Sequence, residues 1–169
     1  RGDYLAVVNN AGFIQYGALE DLDKESLIRQ YEINTFAHHE LVKNLVPLLR
    51  KCTDGRIVQI SSMLSYVNLP YYGAYAASKR ALEALTDNMR IELHTTPISF
   101  SIIQPGSIAT SINKHAVQTF IEEIDITTSH HCEEYRSIID RAIHSTKELF
   151  QIEPIDVANV VLRALDATH

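Results

Sequence analysis

The chain has only six glycines in 169 residues, at positions 2, 12, 17, 55, 73 and 106, and no three of them fall into G-x-G-x-x-G spacing. The glycine-rich turn that seats a dinucleotide pyrophosphate at a helix N-terminus is therefore missing from this stretch. There is no G-x-S-x-G, which removes the nucleophile elbow of a serine hydrolase. The two cysteines, Cys52 and Cys132, lack CxxC spacing; free thiols in a reducing, cytoplasmic setting are expected. His38-His39 and His130-His131-Cys132 are adjacent pairs rather than i,i+4 ligand spacings, so no metal site is expected, and surface and lid roles are assigned to histidine. No basic cluster accompanies the formal charge of -6, which argues against a nucleic-acid partner. Uncharged apolar runs fall far below the roughly 18 residues of a membrane span, and the first residues carry no charged-then-apolar signal pattern. Internal repeats and low-complexity linkers are lacking too.

What is present suits one domain with a buried core: 46% of residues are hydrophobic and 21% charged. Leu5-Ala6-Val7-Val8 runs into Asn9-Asn10-Ala11-Gly12. Gly55 to Ile60 runs into Ser61-Ser62, and Phe100-Ser101-Ile102-Ile103 runs into Gln104-Pro105-Gly106-Ser107-Ile108-Ala109-Thr110. Such apolar runs read as strands buried on both faces of a parallel sheet, which places its chemistry at the strands' C-terminal tips. Asp21 to Lys51 is one long helical pattern with an apolar stripe of Leu27, Ile33, Phe36, Leu41, Leu45 and Leu48, and Asn34 lies inside it. A mid-helix Asn points to solvent or caps a local irregularity. Ser111 to Thr128 has weaker periodicity, and Thr127-Thr128-Ser129 marks a helix start before Glu133 to Phe150. Glu153-Pro154 opens a last helix, with proline suited to its first turn.

The most informative spacing is Tyr75-Ala76-Ala77-Ser78-Lys79, a phenol and an ammonium four residues apart on one helix face. A tyrosine titrates near ~10, so it exchanges protons poorly at neutral pH unless a neighbouring charge favours the phenolate. Lys79 is expected to supply that charge. Tyr71 and Tyr72 are close by, but only Tyr75 has a lysine four residues on. The bland alternative is a surface helix whose aromatic half is buried. Likewise Ser62 either serves chemistry or only satisfies a strand end, and Ser61 is its competitor, because a slip of one residue reverses the side chain's face.

Taken together, the Asn-Asn-Ala-Gly turn, Asn34, Ser62 thirteen residues before Tyr75, Tyr-x-x-x-Lys and Pro-Gly-x-x-x-Thr resemble the short-chain dehydrogenases/reductases in type and order. The likeness runs from about Gly2 to the end. It implies an α/β fold, a Rossmann-type doubly wound parallel sheet, with NAD or NADP as cofactor and an alcohol or ketone as substrate. It further implies Tyr75 as general acid/base, Lys79 on the nicotinamide ribose, Ser62 on the substrate oxygen, and Asn34 in a kinked helix whose freed carbonyl holds a relay water. Asn9, Ala11 and Gly12 would line the adenosine side; Pro105, Gly106, Ile108 and Thr110 would frame the nicotinamide, with Ile60 behind it. The residues that choose between NAD and NADP do not occur in this stretch.

The family's opening strand and glycine-rich turn are absent, and the chain enters at what resembles the fourth strand. The expectation is an internal fragment, one partial domain over 1–169 holding strands four to six, with a variable substrate lid over 111–150. The rim residues Leu64, Tyr66, Leu69, Tyr71 and Tyr72, with a resemblance to the retinol and hydroxysteroid branch, imply a hydrophobic substrate. His115 is placed near the substrate mouth. Helices Asp21–Lys51 and Tyr75–Leu93 resemble those that pair subunits, implying a homodimer or homotetramer. Two other readings stand beside the enzyme: an association module without catalysis, and a half-domain completed in trans, since the strand Leu5–Val8 would otherwise expose an edge.

Overall fold

The computed structural model describes residues 3–110, 112–144 and 151–167. Three parallel strands, β1 (Tyr4–Asn9), β2 (Asp54–Ile60) and β3 (Ile98–Ile103), form a sheet in the order β1-β2-β3. The register pairs Tyr4 with Asp54 through Asn9 with Gln59, and Gly55 with Ile98 through Ile60 with Ile103, so all three tips finish level. Glycine is needed at 55 for packing: a Cβ there would lie 3.2 Å from the Leu49 side chain and 3.3 Å from its carbonyl, wedging the preceding helix off the strand.

The expected single helix over 21–51 is three pieces. Asp23 caps α1 (Lys24–Tyr31) by accepting from the Ser26 amide at 2.7 Å. A π-helical turn (Glu32–Phe36) follows, closed by the Ala37 amide donating to the Glu32 carbonyl, and α2 (Ala37–Leu49) completes the run. The turn widens because Asn34 and Thr35 are drawn inward: Asn34 binds the Phe13 backbone and the Ser78 hydroxyl, and the Thr35 hydroxyl donates to the Ser78 carbonyl at 2.9 Å. The apolar stripe does not face the core as a unit. Leu27 and Leu45 are half-buried, whereas Ile33, Phe36, Leu41 and Leu48 are exposed.

The third helix, α3 (Gly73–Glu92), lies with α2 on one sheet face, where Val42, Leu49, Ile57, Leu93, Ile98 and Phe100 form a core. α6 (Pro154–Asp166) covers the other face, packing Val157, Val161, Ala164 and Leu165 on Val58, Ile60 and Ile103. It starts with a Glu153–Asp156 capping box and Pro154 in the first turn, as expected. Between α3's partners and the strand tips, α4 (Ile112–Glu123) and α5 (Cys132–His144) build a third cluster around Phe120 and Tyr135. α5 begins at Cys132, after a turn in which the Ser129 hydroxyl accepts from the His131 amide. Residues 145–150, the end of the expected Glu133–Phe150 helix, lie outside the described residues, as do Ser111, Arg1, Gly2 and His169.

Tyr135 fastens this cluster to the loop before α1. Its hydroxyl accepts from the Ala18 amide at 2.8 Å and donates to Asp21, which also accepts from Ser129. Among the described residues no helix is long and apolar enough to cross a membrane.

Candidate functional site

The tips of β2 and β3 are joined past their last residues: the Ser61 amide donates to the Ile103 carbonyl at 2.7 Å, and the Met63 amide to the Pro105 carbonyl at 2.9 Å. A cavity of about 530 Å³ opens where the three tips meet α3 and α4. From β1 it takes Asn10, Ala11 and Gly12; from β2 Ile60 and Ser62; from α3 Tyr75 and Lys79. Pro105, Gly106, Ile108 and Thr110 line the β3 side, and His115 lines it from α4. Of the rim residues, Leu64, Leu69 and Tyr72 line the cavity; Tyr66 and Tyr71 do not. Tyr71 adopts the left-handed conformation (φ 70°), its carbonyl accepting from the Gly17 amide while its ring packs edge-on against Tyr135 and His131.

Ser62 and Ser61 take opposite directions. Ser62 is extended (φ -160°, ψ 152°), caps the short 3₁₀ turn Met63–Ser65 by accepting from the Leu64 amide at 3.2 Å, and acts on the Tyr75 phenol, drawing its pKa down. The Ser61 hydroxyl instead donates to the Glu83 carboxylate. Both serines line the cavity, and of the two it is Ser62 that acts on the Tyr75 phenol.

Tyr75, Lys79 and Glu83 recur every four residues on α3 and are all buried. The Lys79 ammonium donates to the Ile60 carbonyl at 2.8 Å and stands 5.9 Å from the Tyr75 ring centroid. Burial brings Lys79 down to about 8, with Glu83 acting in the opposite direction. Burial pushes the Tyr75 phenol above its ordinary value, Ser62 pulls it back, and Tyr72 adds to the rise. The expectation that Lys79 makes a phenolate here is therefore corrected: desolvation of Tyr75 outweighs any lowering, and the phenol stays protonated at neutral pH.

A second ladder faces this one. Gln30, Asn34 and His38 also recur every four residues, and all are buried. Gln30 accepts from the Gln15 amide at 2.7 Å and donates to the Phe13 carbonyl at 2.8 Å. Asn34 accepts from the Phe13 amide and donates to its carbonyl, both at 2.9 Å, and donates to the Ser78 hydroxyl at 3.2 Å. His38 donates from Nε2 to the Ala11 carbonyl at 2.8 Å, while its buried Nδ1 has no partner. These contacts hold the irregular backbone from Ala11 to Gln15 beneath the cavity. Sequence reasoning missed Gln30 and His38; their spacing from Asn34 is the signal that marks them. The assignment of His38 to the surface is corrected, because it fills the space under the Ala11 turn.

Asn34 does not line the cavity, yet a Cβ on Gly12 would lie 3.7 Å from Lys79 Nζ and 3.9 Å from Asn34 Oδ1, so the two polar groups converge on Gly12. Asn9 turns away: its side chain is buried and donates to the His38 carbonyl at 3.4 Å. No protein atom demands glycine at position 12, since an added Cβ would make only ordinary contacts. Its smallness instead keeps the cavity floor open, a fit for a ligand that approaches the backbone closely.

Over 113 residues the chain is 41% identical to the uncharacterized oxidoreductase YbbO of Escherichia coli (strain K12), taking in 67% of this chain and 42% of that protein. It is 38% identical over 110 residues to the NADPH-dependent 3-dehydrocapnine reductase of Ornithobacterium rhinotracheale, covering 63% of this chain and 39% of that one. Among solved structures, the angucycline C-6 ketoreductase LanV with bound NADP superposes with a TM-score of 0.67 at 26% identity, over 94% of this chain and 54% of that chain. The chain therefore spans about two fifths to just over half of the length of these relatives. Residues 3–120 match the family model described as short chain dehydrogenase, and with Ser62 past the tip of β2 and Tyr75 and Lys79 on α3 lining one cavity, the chain belongs to the short chain dehydrogenase family.

Proposed function

We propose that this chain carries the proton-transfer half of an NAD(P)-dependent oxidoreductase acting on a hydrophobic alcohol or ketone. The observation that carries the reading is the meeting of Ser62, a buried Tyr75 and a buried Lys79 on the wall of one cavity. When bound, NAD or NADP supplies or takes up the hydride. Ala11 and Gly12 would hold its adenosine side, with the Asn9 backbone behind them. Ile60, Pro105, Gly106, Ile108 and Thr110 would hold the nicotinamide side, and Lys79 its ribose. The NADP-bound relative and the NADPH-dependent one support the cofactor class without choosing between NAD and NADP.

The residues of this chain handle the proton. Reduction of a carbonyl needs an acid at its oxygen, and a buried, protonated phenol is that acid. Ser62 fixes the oxygen's distance from Tyr75 and stabilises charge that develops there. Oxidation runs the same contacts backwards, with Tyr75 as base once a positive charge beside it favours the phenolate. Asn34 and Lys79, converging beside Gly12, would return the proton through water. Ile14, Leu64, Leu69 and Ile112 make one side of the cavity apolar, which supports a hydrophobic substrate. The same reading includes self-association into a homodimer or homotetramer through the exposed apolar residues of α1 to α3.

The test uses the native protein that contains this chain. Tyr75→Phe should lower turnover of an apolar ketone with NADPH or NADH by about 10²-fold or more, the usual scale of acid–base catalysis, while cofactor affinity stays near wild type. Retained turnover would remove Tyr75 from the reaction.

A further inference from the structure

Glu83 is a carboxylate buried to 8% exposure beside a cavity, on the same face of α3 as Tyr75 and Lys79. An ionised group so placed needs strong compensation. It accepts from the Ser61 hydroxyl, and Gln104 Nε2 donates to both its oxygens, at 2.9 and 3.0 Å. Ser61 directly follows β2 and Gln104 directly follows β3, so the carboxylate is fastened to the tips of both strands. These bonds fix the carboxylate in place between the two strand tips.

Lys79, one helical turn away, has a different set of neighbours. The residue is 3% exposed, and its ammonium donates to the Ile60 carbonyl, a neutral acceptor. The charged or titratable groups around it are Glu83 and Tyr75 on its own helix and His38 from α2. His38 is neutral under burial and would repel Lys79 if protonated; Tyr75 is a neutral phenol. Glu83 is thus the one fixed negative charge acting on Lys79, and it does so through space rather than by contact.

We propose that Glu83 is a positioning residue of this site: by its fixed, buried negative charge it holds Lys79 as an ammonium from the strand-tip side. The ammonium form matters because only it can offer all its hydrogens to the Ile60 carbonyl and to a ligand above it. This deepens the oxidoreductase reading but does not need it for its test, because the readout is Lys79 itself.

The experiment is a pH titration of lysine Cε by NMR on the ¹³C-labelled native protein that contains this chain, with Lys79 assigned by its loss in Lys79→Met. Wild-type Lys79 should titrate near 8. In Glu83→Gln, which keeps the shape and loses the charge, the midpoint should fall by about 0.5 unit or more. Gln104→Leu keeps the charge and cuts two of its bonds, and its Lys79 midpoint should stay with wild type. An unchanged midpoint in Glu83→Gln overturns the proposal. So does an equal shift in both variants, which would assign the effect to the strand-tip tie. If Glu83→Gln does not fold, Glu83→Met, which also removes the charge, replaces it: a lowered midpoint supports the charge's role, and an unmoved one overturns it. Should turnover assays fail to show an oxidoreductase, the Lys79 midpoints still decide this point.

Discussion

Two polar ladders with the same four-residue spacing face each other across the site, Gln30-Asn34-His38 and Tyr75-Lys79-Glu83. Every side chain in both is buried, yet they do different work. The first gives its hydrogen bonds to backbone groups of Ala11, Phe13 and Gln15, a segment without strand or helix partners of its own. The second offers titratable groups to a cavity and to one another. Buried backbone donors and acceptors must be paired, and where secondary structure does not pair them, side chains must. The comparison teaches that a site of this kind needs two sets of buried polar residues: one that reacts, and one that keeps the turn beneath it in shape.

If that division is right, stability and chemistry separate by ladder. Asn34→Leu leaves the Phe13 amide and carbonyl short of a partner and puts an apolar group against Ser78. The expected cost is about 2–5 kcal/mol in urea unfolding, the range for breaking a buried hydrogen-bond network. Tyr75→Phe removes one hydroxyl beside a cavity and should cost less than about 1 kcal/mol in the same assay. Equal losses in the two variants would break the comparison.

His38 sharpens it through pH. Burial, then the Lys79 charge, hold its pKa below the ordinary value, while the bond to the Ala11 carbonyl works the other way. The unfolded chain then takes up the proton first as pH falls. Stability from this group is complete above the ordinary histidine value near ~6.5 and is lost as pH falls from there through the lower folded value. Wild type should therefore lose more stability between pH 7 and pH 5 than His38→Gln, whose amide can still donate to Ala11 but cannot titrate. Parallel pH profiles would mean that neither burial nor Lys79 lowers the His38 pKa in the fold.

Legibility followed chemistry rather than location. Three apolar runs ending in polar turns gave the sheet and its register of tips, because strands buried on both faces have no alternative use for such composition. Tyr75, Lys79 and Ser62 stood out because a phenol, an ammonium and a hydroxyl at those spacings have few structural uses together. Gln30 and His38 did not, because uncharged polar residues on a helix are ordinarily its wet side. In α1–α2 that rule fails in part: Gln30, Asn34 and His38 point in and Ile33, Phe36, Leu41 and Leu48 point out, while Val42 and Leu49 stay in the core. The break at Glu32–Phe36 was legible through the resemblance, which implied a kinked helix at Asn34, but its π-helical form was not. Tyr75's protonation went astray for a different reason, since spacing reports a neighbour's charge but not the desolvation that outweighs it.

The outward apolar residues give the smallest effect on folding and the last test of the partly inverted helix. Leu41 is 46% exposed and Phe36 48%, so within one chain they are little withdrawn from water. Leu41→Lys should change the unfolding free energy of the dilute, monomeric chain by no more than about 0.5 kcal/mol, as for a surface substitution. An exposed apolar row on a helix is nevertheless a surface that a second copy can cover, and a lysine placed in it would meet its own symmetry mate there. Sedimentation should then show wild type shifting toward dimer or tetramer with concentration and Leu41→Lys remaining smaller. A loss of several kcal/mol at high dilution would mean that this face packs inside the chain after all, and the two ladders would no longer be the two inward faces.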